Sequence, residues 1–329
     1  MPRPASGGGL IGAGAALLIV MGVAAAAAPL LAPHSPVDPI DSLGGRYLPP
    51  GARAGELRFD SGRRWLVTEV EIGSSLVTGK RGNQRVEAER STVVNLGTDG
   101  RLETHFFLLG TDRLGRDCWS RILHAGRISL LVGVAAAALS ALLGLAVGTV
   151  AGATGGWIDT LLMRITDAFL AFPRLFLVLA VTAFLDAGVV AVILVLGSTG
   201  WMSVSRLIRA EVLRLSRQDF VAAARSGGSG ELAIAFRHLM RNAVTPLITS
   251  TALRVGNVIL IEASLSYLGL GIKPPTATWG NMIYDGWTDL STAWWASVFP
   301  GVAIVTTVIA FNLLADGLRD RSQPRSAGG

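Results

Sequence analysis

Apolar residues in this chain come in blocks of about 20, the length a helix needs to cross ~30 Å of hydrocarbon. The blocks are Leu10–Leu31, Ile128–Ala151, Thr160–Leu185, Val189–Leu207, Ala243–Ser264 and Ala296–Ala315. They predict an all-α integral membrane protein with six transmembrane helices. The first block follows Arg3 and ends in an alanine-rich tail, as a signal peptide does. Its length exceeds the usual apolar core of a signal peptide, so a retained helix is expected.

The polar stretches set the orientation. Arg206, Arg209, Arg214, Arg217, Arg225, Arg237 and Arg241 crowd the loop between the fourth and fifth blocks, against Glu211, Asp219 and Glu231. Short loops rich in arginine stay cytoplasmic, which places residues 208–242 inside, together with a tail carrying Arg319, Arg321 and Arg325. Acids and bases roughly balance from Pro33 to Phe107, so residues 33–126 are expected outside and both termini inside. The chain then divides into residues 1–32 (tail and first helix), 33–126 (an extracytoplasmic segment), 127–318 (a five-helix core containing the 208–242 loop) and 319–329 (a cytoplasmic tail).

Within the outer segment, Trp65–Ile72 alternates in part like a strand and Thr92–Leu96 is a weaker candidate. Pro49-Pro50-Gly51 and Gly97–Gly100 mark turns. Large apolar residues are few there, which predicts a small β-containing excursion rather than a full domain. In Gly110–Arg127, Cys118 with Ile122 and Trp119 with Leu123 form one apolar stripe. The expectation is an interfacial helix along the outer leaflet; the alternative is the start of a long membrane helix. Trp279, Tyr284, Trp287, Trp294 and Trp295 suit a membrane interface.

Charges inside the apolar blocks need partners or water. Arg164 and Asp167, three apart, are placed to pair on one helical face. Arg174 follows Pro173, which can bend a helix. Arg254 and Glu262 are eight residues and so ~80° apart around the fifth helix, which argues against a direct pair. Each is either a structural partner for another helix or, for Arg254, a path-lining group for a substrate carboxylate.

Composition narrows the classes further. Half the 329 residues are hydrophobic and 16% are charged, with a net charge of +6; the mean hydropathy is +0.50 and the pI about 10.3. The arginines flank membrane blocks, so topology accounts for the basic balance better than nucleic acid does. Cys118 is the single cysteine, and His34, His105, His124 and His238 are scattered without ligand spacing, so no metal site is expected. No phosphate-binding G-x-x-x-x-G-K-[ST] loop and no nucleophile elbow or paired-histidine zinc motif occurs. No catalytic residue is assigned, and an enzyme reading has no assembled site to rest on.

From Gly110 to Asp320 the residues resemble the inner-membrane permease subunit of a binding-protein-dependent ABC importer. The branch is the dipeptide, oligopeptide and nickel one, and the match is to the second permease of the pair. Gly110-Thr111-Asp112-Arg113-Leu114-Gly115-Arg116-Asp117 is similar to the family's GTD-x-x-GRD entry. Gly155–Asp159, Met163-Arg164, Asp167 and Ala171-Phe172-Pro173 follow in the family's order. So do Glu262–Gly271, Pro274-Pro275, Trp279–Met282, Phe311–Leu314 and Asp316–Asp320. The loop resembles the EAA motif that docks on the ATPase, through Ala223, Ala224, Arg225, Gly228 and Arg237. It departs at Ala222, where the family has glutamate, at Gly227, where leucine is usual, and at Arg241, where a proline closes the motif.

This resemblance implies a type I importer permease fold and half of a transmembrane path for peptides or a related small solute. It implies a second homologous permease, two ABC ATPase subunits that use ATP and Mg, an extracytoplasmic solute-binding protein and surrounding membrane lipid. It implies no cofactor bound by this chain. The loop residues Ala222, Ala223, Ala224, Arg225, Gly228 and Arg237 would couple to the ATPase. Arg254 and Glu262 remain path or structural charges. The alternatives are a stand-alone secondary transporter or channel, with Glu262 as the ion-coupling acid, and a non-transporting sensory scaffold.

Overall fold

Among the described residues, four helices are each long and apolar enough to cross a membrane, and two bent helix pairs bring the number to six if each pair is one span. A computed structural model describes residues 7–96, 102–184 and 188–322. The expected turn at Gly97–Gly100 and the basic residues Arg3 and Arg325 lie outside the described residues. The chain begins with α1 (Gly7–Ala26) and α2 (Ala28–Leu31), then five strands: β1 (Ala52–Arg58), β2 (Arg64–Ile72), β3 (Leu76–Arg81), β4 (Gln84–Glu89) and β5 (Glu103–Phe107). Next come α3 (Cys118–Thr154), α4 (Gly156–Leu170), α5 (Arg174–Thr182), α6 (Val189–Ser198), α7 (Trp201–Leu215), α8 (Asp219–Ser226) and α9 (Glu231–Ile234). A π-helical turn, Ala235–Leu239, joins α9 to α10 (Met240–Tyr267), which precedes α11 (Trp279–Trp287), α12 (Leu290–Ala293) and α13 (Trp295–Ser322). These elements form two compact units, one of residues 1–21, 129–271 and 305–329, the other of residues 22–128 and 272–304.

In the first unit the spans pack through glycine. Gly144, Gly148 and Gly152 recur every four residues on one face of α3. A Cβ on Gly148 would lie 2.8 Å from Ile208 Cβ, and one on Gly152 would lie 2.9 Å from Val212 Cβ; Gly144 meets Val204 in the same way. Residues 204, 208 and 212 of α7 share that spacing, so two backbones approach along a glycine groove, the usual route to close packing where lipid removes the hydrophobic drive. Val204, Ile208, Val212 and Leu215 continue this seam into a core with Val221, Ile234, Leu239, Ala243 and Leu247.

Two helix pairs are bent at short breaks. α4 and α5 meet at 82° and α6 and α7 at 40°. Pro173 precedes α5, where it cannot continue the ladder of α4; Gly197-Ser198-Thr199-Gly200 loosens the second break. Asp167 pairs with Arg206 of α7 across the chain rather than with Arg164. The expected Arg164–Asp167 pair is therefore replaced by an interhelical one.

In the second unit the β-containing excursion expected from the sequence is built on a five-stranded antiparallel sheet of order β4-β3-β2-β1-β5. Alternation in β2 is only partial because the register shifts between Thr68 and Glu71 and Glu69 sits at φ 51°; a bulge moves later side chains across the sheet. Gly82, at φ 60°, turns β3 into β4. Thr92–Leu96 is not a strand: a 3₁₀ turn covers Arg90–Thr92, and Val93 makes only an isolated bridge to Phe59. The large residues of the sheet gather in two clusters. Leu57, Phe59, Val67, Val77, Ala88 and Val93 form one core, and Leu48, Ala54, Leu66 and Phe107 another.

The interfacial helix is also absent. Residues 110–117 form a turn, and Cys118 begins the 37-residue α3, so the stripe through Cys118 and Ile122 is the start of a long helix. Trp279 and Trp295 are buried within the chain. Trp279 donates to Ile122 O and Trp295 to Thr111 O. Tyr284, Trp287 and Trp294 are about half exposed.

Candidate coupling loop and buried charges

The 208–242 loop is a helix–turn–helix. α7 continues beyond the fourth apolar block to Leu215, α8 is a separate two-turn helix, and α9 runs through the π turn into α10. Val221 is buried in the core below, and Ala224 packs against it. That leaves Ala222, Ala223 and Arg225 of α8 on the exposed side, with Arg237 exposed in the π turn. Phe220 and Phe236 are exposed on the same segment.

The turn is built by Gly228. Its φ is 79°, a region open to glycine and strained for other residues, and its N–H donates to Arg225 O at 3.0 Å. The following Ser229 N–H reaches Ala224 O at 3.1 Å, closing the last turn of α8. Gly227 has φ −79°, so it needs no glycine. Arg225 donates to both Glu231 oxygens, at 2.7 and 3.0 Å, and holds that carboxyl below the usual glutamate range. Ala222 has no acid beside it in α8 after Asp219, and the carboxyl that pairs with Arg225 stands after the turn.

Arg254 and Glu262 do not meet. Glu262 is buried and accepts from Ser266 Oγ at 2.8 Å. Arg254 donates to Gly200 O at 2.9 Å and to Ser203 Oγ at 2.8 Å. It shares a cavity of about 310 Å³ with Arg174, Phe169, Leu177, Ser250 and Asn257. Sequence reasoning marked Arg174 as a charge after a proline but did not join it to Arg254. The signal was two arginines in apolar blocks with no acid spaced to neutralise either.

The GTD-x-x-GRD stretch knits the second unit together. Asp112 accepts from the Leu114 and Arg116 N–H groups at 2.9 and 3.0 Å, from Arg116 Nε at 2.7 Å and from Arg121 at 3.1 Å. Asp285 of α11 accepts from the same two arginines at 3.0 and 3.3 Å. Asp117 accepts from the Ser120 N–H at 3.1 Å in the first turn of α3.

The histidines are less scattered than their positions suggest: His34 and His105 rings are hydrogen-bonded at 3.2 Å. His105 also reaches buried Glu56 at 2.7 Å, beside Glu103. Arg64 and Arg58 already donate to Glu56 and Arg58 to Glu103, so guanidinium groups occupy the oxygens a cation would need. The Arg64 hydrogen bond, helped by Arg58 and His105 against the effect of burial, holds the Glu56 carboxyl at about 2.

Comparison with known proteins agrees with this architecture. The family described as binding-protein-dependent transport system inner membrane component matches residues 144–328. A Brucella suis biovar 1 (strain 1330) permease named for a peptide transport system is 42% identical over 218 residues, 66% of this chain and 73% of that protein. The glutathione transport system permease of Pectobacterium atrosepticum is 39% identical, over 66% of this chain and 72% of its own. The di/tripeptide transport system permease of Pseudomonas aeruginosa is 38% identical, over 67% and 72%. Among solved structures, the methionine ABC transporter MetNI in an inward-facing conformation aligns with a TM-score of 0.53 at 16% identity, covering 62% of this chain and 97% of that one; at that identity the likeness speaks for the fold alone. This chain therefore belongs to the family of binding-protein-dependent transport system inner membrane components.

Proposed function

We propose that the chain forms half of the transmembrane path of an ABC importer for peptides, with a second homologous permease completing it. Two ATPase subunits bind the cytoplasmic face and use ATP and Mg. A solute-binding protein delivers substrate outside, and this chain carries no ATPase site of its own. The peptide assignment is supported by relatives named for peptide, di/tripeptide and glutathione transport. Both termini and the 208–242 loop face the cytoplasm, and residues 33–126 face outward, by the arginine asymmetry of the loops.

The observation that carries the coupling role is continuity. The exposed turn at Gly228 leads through α9 and the π turn into α10 without a break in the helix. Closure of the ATPases on ATP would displace the turn, and α10 would carry that displacement into the span bearing Arg254. A π turn is a place where a helix changes register at modest cost, and such turns recur at functional sites. Transport then follows a two-state equilibrium in which the loop fits the ATPases differently in each state.

The test is reconstitution of the chain with its partner subunits and binding protein in vesicles. Uptake of labelled peptide should require ATP on the ATPase side and all partners. Uptake by this chain alone, driven by an ion gradient, would replace this reading with a secondary transporter.

A further inference from the structure

Arg174 and Arg254 bring two positive charges to one cavity, and among the described residues no acid lines it. They come from separate segments, Arg174 from the first residue of α5 after the 82° bend and Arg254 from the middle of α10. Both converge on the break between α6 and α7. Arg174 donates to Leu196 O at 3.2 Å, and Arg254 to Gly200 O at 2.9 Å. Gly200 lies close to both Ser140 and Arg174: a Cβ there would come within 2.2 Å of Ser140 Oγ and 3.1 Å of Arg174 Nη2.

The carbonyls at the end of α6 supply part of the compensation. A helix C-terminus is worth about half a negative charge, against two full positive ones. No acid lines the cavity, and neither arginine takes part in an ion pair among the described residues. The Nε atoms of both are buried and make no hydrogen bond. Two guanidinium groups brought together from separate spans, each with a donor unused, are costly unless an anion or water meets them. The first turns of α5 and α7 border the same cavity through Arg174, Leu177, Met202 and Ser203, and a helix N-terminus favours negative charge.

We propose that Arg174 and Arg254 form a carboxylate subsite in the translocation path, which takes the free C-terminal carboxylate of a passing peptide. Guanidinium geometry matches a carboxylate well. The cavity of about 310 Å³ accommodates one terminal residue, with Phe169, Leu177 and Leu253 against its side chain and Ser250 and Asn257 against its amide. The subsite rests on the peptide-import reading above, whose substrates end in this group. It adds a specificity step inside the membrane, after the choice made by the binding protein.

The experiment uses the complete reconstituted importer and a pair of labelled tripeptides, one with a free C-terminus and one C-terminally amidated. Arg254→Met and Arg174→Gln should each lower uptake of the free acid at least tenfold and change uptake of the amide less than twofold. The ratio between substrates, taken against wild type, removes any preference of the binding protein. Arg254→Lys keeps the charge and decides the matter if a neutral variant does not assemble. It should retain part of the preference for the acid. Equal loss for both tripeptides in these variants overturns the subsite and assigns the pair to capping the α6–α7 break or to an acid of the second permease. A wild-type complex that hydrolyses ATP but takes up neither tripeptide would instead remove the peptide reading on which the subsite rests.

Discussion

Arg225 and Glu231 face each other across the Gly227-Gly228 turn, joined by two hydrogen bonds of 2.7 and 3.0 Å. The pair is exposed, so it adds little to stability. What it does is hold α8 and α9 at one angle, around a glycine that no other residue replaces without strain. The loop thus takes a defined shape from this pair and the turn glycine.

The two glycines of that turn should respond oppositely. Gly228→Val forces a β-branched residue to φ 79°, costing about 1–3 kcal/mol locally. It should leave the complex assembled while transport per ATP hydrolysed falls. Gly227→Ala, at φ −79°, should be tolerated or raise local stability by ~0.4–1 kcal/mol. Vesicle uptake and ATPase assays on both variants, with pull-down of the partners, check this. Normal coupled uptake by Gly228→Val would mean the loop is not the coupling element.

Glycines in the spans should likewise divide by what they touch. Gly148→Ala puts a Cβ 2.8 Å from Ile208 Cβ, and overpacking of that kind costs about 1–3 kcal/mol. Gly12→Ala in α1 meets nothing within 4 Å and should gain up to ~1 kcal/mol. Opposite shifts in the detergent unfolding midpoint are expected. A stabilised Gly148→Ala would show that α3 and α7 are not packed through that groove.

The Asp112–Arg116–Arg121–Asp285 network is buried. Asp285→Asn leaves two guanidinium groups under-compensated and should destabilise the chain by on the order of 3 kcal/mol. Arg113 is 3.8 Å from Asp285 and nearly half exposed, so Arg113→Ala should cost less than ~1 kcal/mol. Thermal melting of the two variants measures the difference. Similar small losses would place the network on the surface.

Glu56 makes the sheet sensitive to acid. Its folded carboxyl titrates at about 2, below its ordinary 4.5. The stabilisation is therefore complete above about pH 4.5 and is lost as pH falls from there through about 2. Glu56→Gln should melt lower than wild type at pH 7, and the gap should narrow across that window. A gap constant from pH 7 to pH 3 would contradict the ion-paired state of Glu56.

Orientation is checked with single cysteines at Ser74 and Ser229, both exposed, in a chain whose buried Cys118 is replaced by alanine. An impermeant thiol reagent should label position 74 from the outer side of the membrane and position 229 only after the membrane is opened. Labelling of both from one side would defeat the topology.

Apolar block length and arginine placement, read along the chain, marked the membrane helices and the basic loop, and the family resemblance marked the turn glycine at 228. These are local properties: a span needs a fixed number of apolar residues whatever surrounds it, and a positive φ selects glycine wherever it occurs. The glycine repeat at 144, 148 and 152 was equally legible and was missed, since only a partner with matching spacing on α7 gives it meaning. Tertiary structure alone decided the rest. Five short strands cooperate into a sheet because ladder pairing and two shared cores join residues dozens of positions apart, and a bulge hid the alternation of β2. Asp167 chose Arg206 over Arg164 because α4 and α7 bring them together. Arg174 and Arg254, 80 residues apart in sequence, become neighbours only because two spans break where they do. Sequence spacing carries no information about charges that meet through such breaks.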